Sequence, residues 1–142
     1  MGTAKKYDIA VIGGGAAGCS VARVLDQLGH SVVIISSTRR QVAYEGFSER
    51  VMQGLKRLNF QRAVSSVGPC VQRIVSWSDR TSSVNHEYVV ERNAFDKALR
   101  ADMIALGIPV IVGRVKKLLR NKNEWRITGR GENEKSISLK AS

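Results

Sequence analysis

Between Asp8 and Gly18 the chain reads Asp-Ile-Ala-Val-Ile-Gly-Gly-Gly-Ala-Ala-Gly, an apolar run that breaks into glycines and then into a helical pattern. Gly13, Gly15 and Gly18 satisfy G-x-G-x-x-G, the spacing of a turn that holds the pyrophosphate of a dinucleotide. Each glycine has a separate task. Gly13 permits the tight turn out of a strand, and Gly15, lacking a Cβ, lets a diphosphate approach the backbone. Gly18 lets the following helix pack closely. Gly14, Ala16 and Ala17 complete the turn, and the free N–H groups and positive dipole end of that helix would face the phosphates.

Such a turn needs a strand before it and a helix and second strand after it. Ile9 to Ile12 form a buried-strand run, Val21, Val24, Leu25 and Leu28 recur at helical spacing, Gly29 is a natural stop, and Ser31 to Ile35 supply the second strand. A polar stretch, Ser36 to Arg40, precedes a predicted helix over 48–58, and Ser65 to Pro69 read as loop. Short strands are predicted at Gln72 to Trp77 and Glu87 to Val90, separated by a polar loop from Ser78 to His86. A further helix starts from Asn93 as N-cap, with Asp96 three residues on, and places Phe95, Ala98, Leu99, Met103 and Leu106 on one face before Gly107 and Pro109 end it. Val110 to Val112 is the third parallel strand. Three alternating segments near 114–119, 124–128 and 136–140, with turns at Asn121 to Asn123 and Gly129 to Asn133, predict an antiparallel meander over about 114–140. The fold class is α/β, a Rossmann-like βαβ parallel sheet of the FAD/NAD(P)-binding type with an antiparallel β-meander, in one domain spanning 1–142.

Bulk composition narrows the function. A chain of 142 residues with 43% hydrophobic and 25% charged content is an ordinary globular domain. No run has the apolar length of a membrane span, and Lys5 and Lys6 before Ile9 resemble a signal peptide only until the glycines are counted. Cys19 and Cys70 give neither a disulfide framework nor metal-ligand spacing, so the expected setting is the reducing cytoplasm. Cys19 lies one residue after Gly18, where the dipole could stabilise a thiolate or where a small buried residue is simply needed. The net charge of +11 includes Arg114, Lys116, Lys117, Arg120 and Lys122, but no aromatic residue interleaves with them. The alternation with Val115, Leu118 and Leu119 reads as the solvated side of a strand and argues against nucleic acid. Cofactor phosphates would account for only part of this charge. His30, at the end of the first helix, and His86, in a polar loop, have no metal-like partners, and Trp77 and Trp125 read as sheet residues packed on a neighbour.

Three stretches together resemble a known family, the FAD-dependent oxidoreductases that include aromatic-ring flavoprotein monooxygenases, flavin halogenases and geranylgeranyl reductases. They are Val11 to Gly18; Glu45-Gly46-Phe47-Ser48-Glu49-Arg50 leading into a helix; and Val90-Glu91-Arg92-Asn93-Ala94-Phe95-Asp96-Lys97-Ala98-Leu99, which is similar to the family's Arg-x-x-Phe-Asp-x-x-Leu helix. The resemblance spans the whole chain. It implies FAD as cofactor, held at Gly13 to Gly18, with Arg50 and Arg92 near the pyrophosphate or, alternatively, on outer faces or in local ion pairs with Glu91 or Asp96. The catalytic chemistry would be the flavin's, since no residue is required by spacing as an acid, base or nucleophile.

Two departures stand out. Family members carry a Glu at the end of the second strand for the adenosine ribose, and the count of 23 residues from Gly13 lands on Ser36. A hydroxyl offers one weaker contact in place of two charge-assisted ones. Ser36 with Arg39 and Arg40 also resembles the pattern that accepts a 2′-phosphate, which points to NADP, unless the two arginines are surface charges. Family members are also several hundred residues long, with an Ala-Thr-Gly and a Gly-Asp segment beyond the meander and a later substrate domain. The expectation is therefore the N-terminal cofactor-binding portion of a larger monooxygenase- or halogenase-like enzyme, its small-molecule substrate undisclosed. The alternative is a stand-alone, NADP-preferring nucleotide-binding module without catalysis.

Overall fold

The computed structural model describes residues 5–132 and 134–142. Among these the order is β1 (Lys5–Tyr7), β2 (Ile9–Ile12), α1 (Ala16–Gln27), β3 (Val32–Ser36), β4 (Tyr44–Phe47), α2 (Glu49–Arg57), α3 (Gln61–Ser65), β5 (Cys70–Trp77), β6 (Arg80–Glu91), α4 (Arg92–Ala105), β7 (Val110–Asn121), β8 (Glu124–Gly131) and β9 (Ser136–Ala141). β2, β3 and β7 run parallel, with Ile9 beside Val32 and Ile34 beside Val110. β7 then leaves the parallel part and pairs antiparallel with β8, which pairs with β9, and β9 returns parallel to β1. β1 and β2 are one stretch bent at Asp8, whose Oδ2 accepts from Ser31 N and Ser31 Oγ, each at 2.8 Å. The order β1-β9-β8-β7-β3-β2 thus brings its own ends together, and the sheet curls round. A second sheet, β4-β6-β5, is antiparallel.

Alternation along β3 sets the layers. Val32 and Ile34 face the helices and pack with Cys19, Ala22, Phe95 and Leu99. Val33 and Ile35 point the other way, into Ile127, Ile137 and Leu139 of the meander. All five β3 residues are buried, as a strand covered on both faces requires, and each buried Val or Ile contributes about 2 kcal/mol.

Several elements differ from their sequence reading, each for a physical reason. In α1 Cys19 and Ala22 are both 0% exposed and Leu25 packs beside them on the core, while Val21, Val24 and the C-cap Leu28 face solvent. Small side chains let the helix approach the sheet, so of the predicted apolar stripe only Leu25 is turned in. The N-cap of α4 is Glu91 in place of Asn93: its carboxylate accepts from Asn93 N at 2.9 Å and Ala94 N at 2.8 Å. Val110 to Val112 and the first meander segment are one strand, β7. Residues 61–65, whose last, Ser65, reads in the sequence as the start of a loop, form α3, capped from α4 by Asp102, which accepts from Arg62 N at 3.1 Å and Ala63 N at 2.9 Å. The polar loop from Ser78 to His86 is mostly strand: β5 and β6 form a long hairpin whose turn holds Ser78 at φ +53°. It has few buried positions, so no hydrophobic alternation marked it, and Trp77 at its end is 81% exposed and packs on no core. In the last turn Gly129 to Gly131 already belong to β8; Asn133 lies outside the described residues. No helix among the described residues is long and apolar enough to cross a membrane.

Candidate functional site

The glycine turn sits where β2 ends, with β3 beside it and α4 above it. Gly13 has φ +114°, a conformation that side chains resist, and its N–H donates to Ile35 O at 2.9 Å. A Cβ on Gly14 would lie 2.6 Å from Ser36 Cβ and Oγ, so the turn is seated directly on the end of β3. A Cβ on Gly18 would overlap the carbonyl oxygen of Gly13, which places the helix hard against the turn that precedes it. Gly15 differs: its nearest neighbour would be Arg92 Nη2, at 3.6 Å, and the space over its backbone is otherwise open.

Gly15 is also the N-cap of α1, with no side-chain cap and no acidic residue in the first turn. The Gly15 carbonyl accepts from Cys19 N at 3.0 Å, so Ala16, Ala17 and Gly18 carry the N–H groups that have no partner within the helix. An anion over Gly15 would meet those donors and the dipole's positive end. A cavity of about 300 Å³ opens there, lined by Gly13, Gly14, Gly15, Ser36, Arg39 and Arg92, with Ser37, Thr38 and Asp96.

The cations around this cavity are engaged. Arg92 donates from Nη1 to Glu45 Oε2 at 2.6 Å and from Nη2 to Asp96 Oδ1 at 3.0 Å. Burial alone would lower its pKa, but those bonds to Glu45 and Asp96 outweigh it and hold the guanidinium charged above its ordinary value. Arg39 Nε lies 3.5 Å from Asp96 Oδ2. Ser36 is buried, and its hydroxyl makes only a long bond, 3.4 Å, to Ser37 O. Cys19 beneath the turn is fully buried, and burial pushes its thiol up to about 12, with the Asp96 charge adding to the shift. It is a neutral packing residue, not a thiolate.

Of the residues singled out from the sequence, the structure brings Gly13, Gly14, Gly15, Ser36, Arg39 and Arg92 to one cavity, whereas Ala16, Ala17 and Gly18 follow directly at the start of α1 without being among its lining residues. Arg92 pairs with Asp96 and Glu45, whereas Glu91 is occupied as the helix cap. Arg40 lines an adjoining cavity that shares Ser37 and Thr38. Arg50 is exposed on α2 and is not among the residues lining either one. The Arg92–Asp96 pair is the local ion pair offered from the sequence as the alternative for Arg92, four residues apart on one helix face; that Asp96 also takes Arg39 and lines the cavity was missed. The Glu45 pair was missed too, because only the β4–β6 register brings Glu45 to Arg92.

Comparison with known proteins bears on the fold and the family. The family model for the 3-hydroxyacyl-CoA dehydrogenase NAD binding domain matches residues 8–105. No curated protein matches the chain. Among solved structures, a peptidyl tryptophan dihydroxylase essential for tryptophylquinone cofactor biogenesis is 30% identical with TM-score 0.77, over 97% of this chain and 31% of that one. A flavoprotein/dehydrogenase from Cytophaga hutchinsonii is 22% identical with TM-score 0.76, over 96% of this chain and 38% of that one. The flavin-dependent brominase Bmp2 is 18% identical with TM-score 0.74, over 96% and 36%. The chain spans about a third of the length of these structures. It belongs to the family of the 3-hydroxyacyl-CoA dehydrogenase NAD binding domain, and its fold is shared with the flavoprotein/dehydrogenase and the flavin-dependent brominase.

Proposed function

We propose that the chain holds FAD across the turn from Gly13 to Gly18, as the cofactor-binding part of a flavin-dependent oxidoreductase of the monooxygenase or halogenase kind. The observation that carries this reading is the open backbone at Gly15 in front of the unpaired amides of Ala16, Ala17 and Gly18. The residues fit the group: a diphosphate would be met by main-chain donors, and the adenosine ribose by Ser36. Arg92, fixed by Glu45 and Asp96, would border the diphosphate from above. When bound, the flavin supplies the redox chemistry, and this chain's share is to bind and orient it. The likeness to the dihydroxylase supports the oxidoreductase reading; the two free cysteines support a reducing, cytoplasmic setting.

A second reading has an observation of its own. Ser36 stands where a ribose-binding carboxylate is expected, with Arg39 and Arg40 close behind it, and this favours NADP and a binding module without catalysis.

Flavin content decides between them. Purified protein is expected to carry or take up FAD, released on denaturation, and Gly15→Val is expected to weaken that binding by about a hundredfold, near 3 kcal/mol, by filling the diphosphate's place. Equal FAD uptake by the variant would overturn the assignment, and uptake of NADP without FAD would favour the second reading.

A further inference from the structure

More than half of the chain's excess positive charge lies on the meander. The 33 residues from Val110 hold nine Lys and Arg against three Glu, and the β1–β9 ladder adds Lys5 and Lys6. Strand register then sorts these cations onto one face. Tyr7, Ile127, Leu139 and Ala141 are buried inside the curl of the sheet, so the residues between them point outward. Lys6 lies beside Lys140 and Lys140 beside Arg126, a row of cations across β1, β9 and β8 within about 10 Å. Arg114 and Arg130 are likewise direct partners on β7 and β8, and Lys117, beside Thr128, stands between the two rows. Like charges placed opposite one another cost stability unless an anion lies over them.

Lys140 has Glu124 at 2.8 Å. The Glu124 carboxyl is held below its ordinary range by that bond, and the charges of Lys6 and Arg126 add to the shift. Lys6, Arg114, Lys117, Arg126 and Arg130 are in no ion pair among the described residues. Beside the glycine turn the face runs into a basic cavity of about 350 Å³, which shares Ser37 and Thr38 with the nucleotide cavity. Arg40, Arg114, Lys116 and Arg130 line it, Lys116 being the extra residue of a bulge between Val115 and Lys117. The other end of the face is amphipathic. The β7–β8 hairpin there leaves Leu118, Leu119 and Trp125 between 41% and 46% exposed, among Arg120, Lys122 and Arg126. Arg120 lies over the Trp125 ring, 5.7 Å from its centre.

We propose that this face docks on an anionic lipid bilayer, with its cations on the headgroups and the hairpin end from Leu118 to Trp125 at headgroup depth. A leaflet is an array of anions that can neutralise both rows at once, without a separate pocket for each charge. Trp and Leu set among Lys and Arg have the composition of an interfacial anchor, the apolar parts entering the headgroup layer while the charged ends stay in water. Nucleic acid fits less well, because the outward face carries no aromatic ring among the described residues on which a base could stack. The docking does not depend on which nucleotide fills the glycine turn.

The test is co-sedimentation of the purified chain with vesicles of phosphatidylcholine alone and of phosphatidylcholine with a third phosphatidylglycerol. The wild type is expected to bind the anionic vesicles about a hundredfold more tightly. Lys117→Gln with Arg126→Gln should weaken that binding about tenfold without lowering the melting temperature. Arg57→Gln with Lys97→Gln removes the same charge from α2 and α4 and should change it less than about twofold. Trp125, left as the only tryptophan by Trp77→Phe, should shift its emission to the blue on the anionic vesicles. Equal binding to the two kinds of vesicle, equal effects of the two double variants, or an unshifted Trp125 emission would overturn the proposal. Tighter binding of a single-stranded oligonucleotide than of the anionic vesicles would also overturn it and assign the face to nucleic acid.

Discussion

The glycine-turn cavity and the basic cavity adjoin one another and share two residues, yet they are built to meet negative charge by opposite means. At the glycine turn the donors are main-chain amides at the head of α1, and the nearby guanidinium groups are already held by Glu45 and Asp96. In the basic cavity, which Gly113 and Gly131 also line, four side-chain cations stand without ion-pair partners among the described residues. One site is a rigid shape with little free charge. The other is free charge on a pair of strands. A rigid amide cradle can select a flat diphosphate by fit, whereas flexible, solvated cations attract any anionic surface.

The sharpest way to break that contrast is to remove the shape alone. Gly18→Val would drive a branched side chain into the Gly13 carbonyl and is expected to cost about 3 kcal/mol of stability, measured by urea unfolding, with nucleotide binding at the turn lost. The basic face sits on β7 and β8 with β9 and β1, and should keep its binding of anionic vesicles wherever the variant remains folded. A midpoint unchanged within about 0.5 kcal/mol would mean that the helix does not press on the turn as described.

That the shape was legible in the sequence and the charge was not follows from how each is made. Gly13, Gly15 and Gly18 act on their immediate backbone surroundings, so spacing alone revealed them, and counting on to Ser36 found the end of β3. The stretch from Arg114 to Lys122 was equally visible, and its basic residues are indeed exposed, but its meaning depends on Arg130 arriving opposite Arg114 through a ladder sixteen residues apart in sequence. Only folding supplies that register. Helix α1 teaches a related lesson: periodicity marks the stripe of Val21, Val24, Leu25 and Leu28, and the closeness of the sheet turns in Cys19 and Ala22 with only Leu25 of that stripe. The β5–β6 hairpin escaped because an exposed ribbon has no inside to alternate with.

Ser36 lies between the two sites and offers a smaller perturbation that should move the two nucleotides in opposite directions. Ser36→Glu would restore a carboxylate for the ribose hydroxyls and is expected to tighten FAD about tenfold while weakening any NADP binding by a similar factor. Flavin fluorescence titration and calorimetry read the two arms separately. The residue is 4% exposed and backs onto Gly14, so the longer side chain must emerge past the turn, toward the ribose. The opposite order of affinities would show that the end of β3 does not face the ribose.

Salt sharpens the comparison further, at the smallest expected cost. Arg40, Arg114, Lys116 and Arg130 are exposed, and charges in water lose their mutual influence beyond about 8 Å at physiological ionic strength. The main-chain donors at Gly15 carry only partial charges and act at contact distance, where screening matters less. Raising the salt should therefore weaken binding to anionic vesicles by about threefold, while 5′-ADP affinity changes less. Co-sedimentation and isothermal titration at two chloride concentrations read both quantities on the same protein. Parallel weakening of vesicle and nucleotide binding would place the basic side chains around the diphosphate as well, and the division of labour between amides and cations would then be wrong.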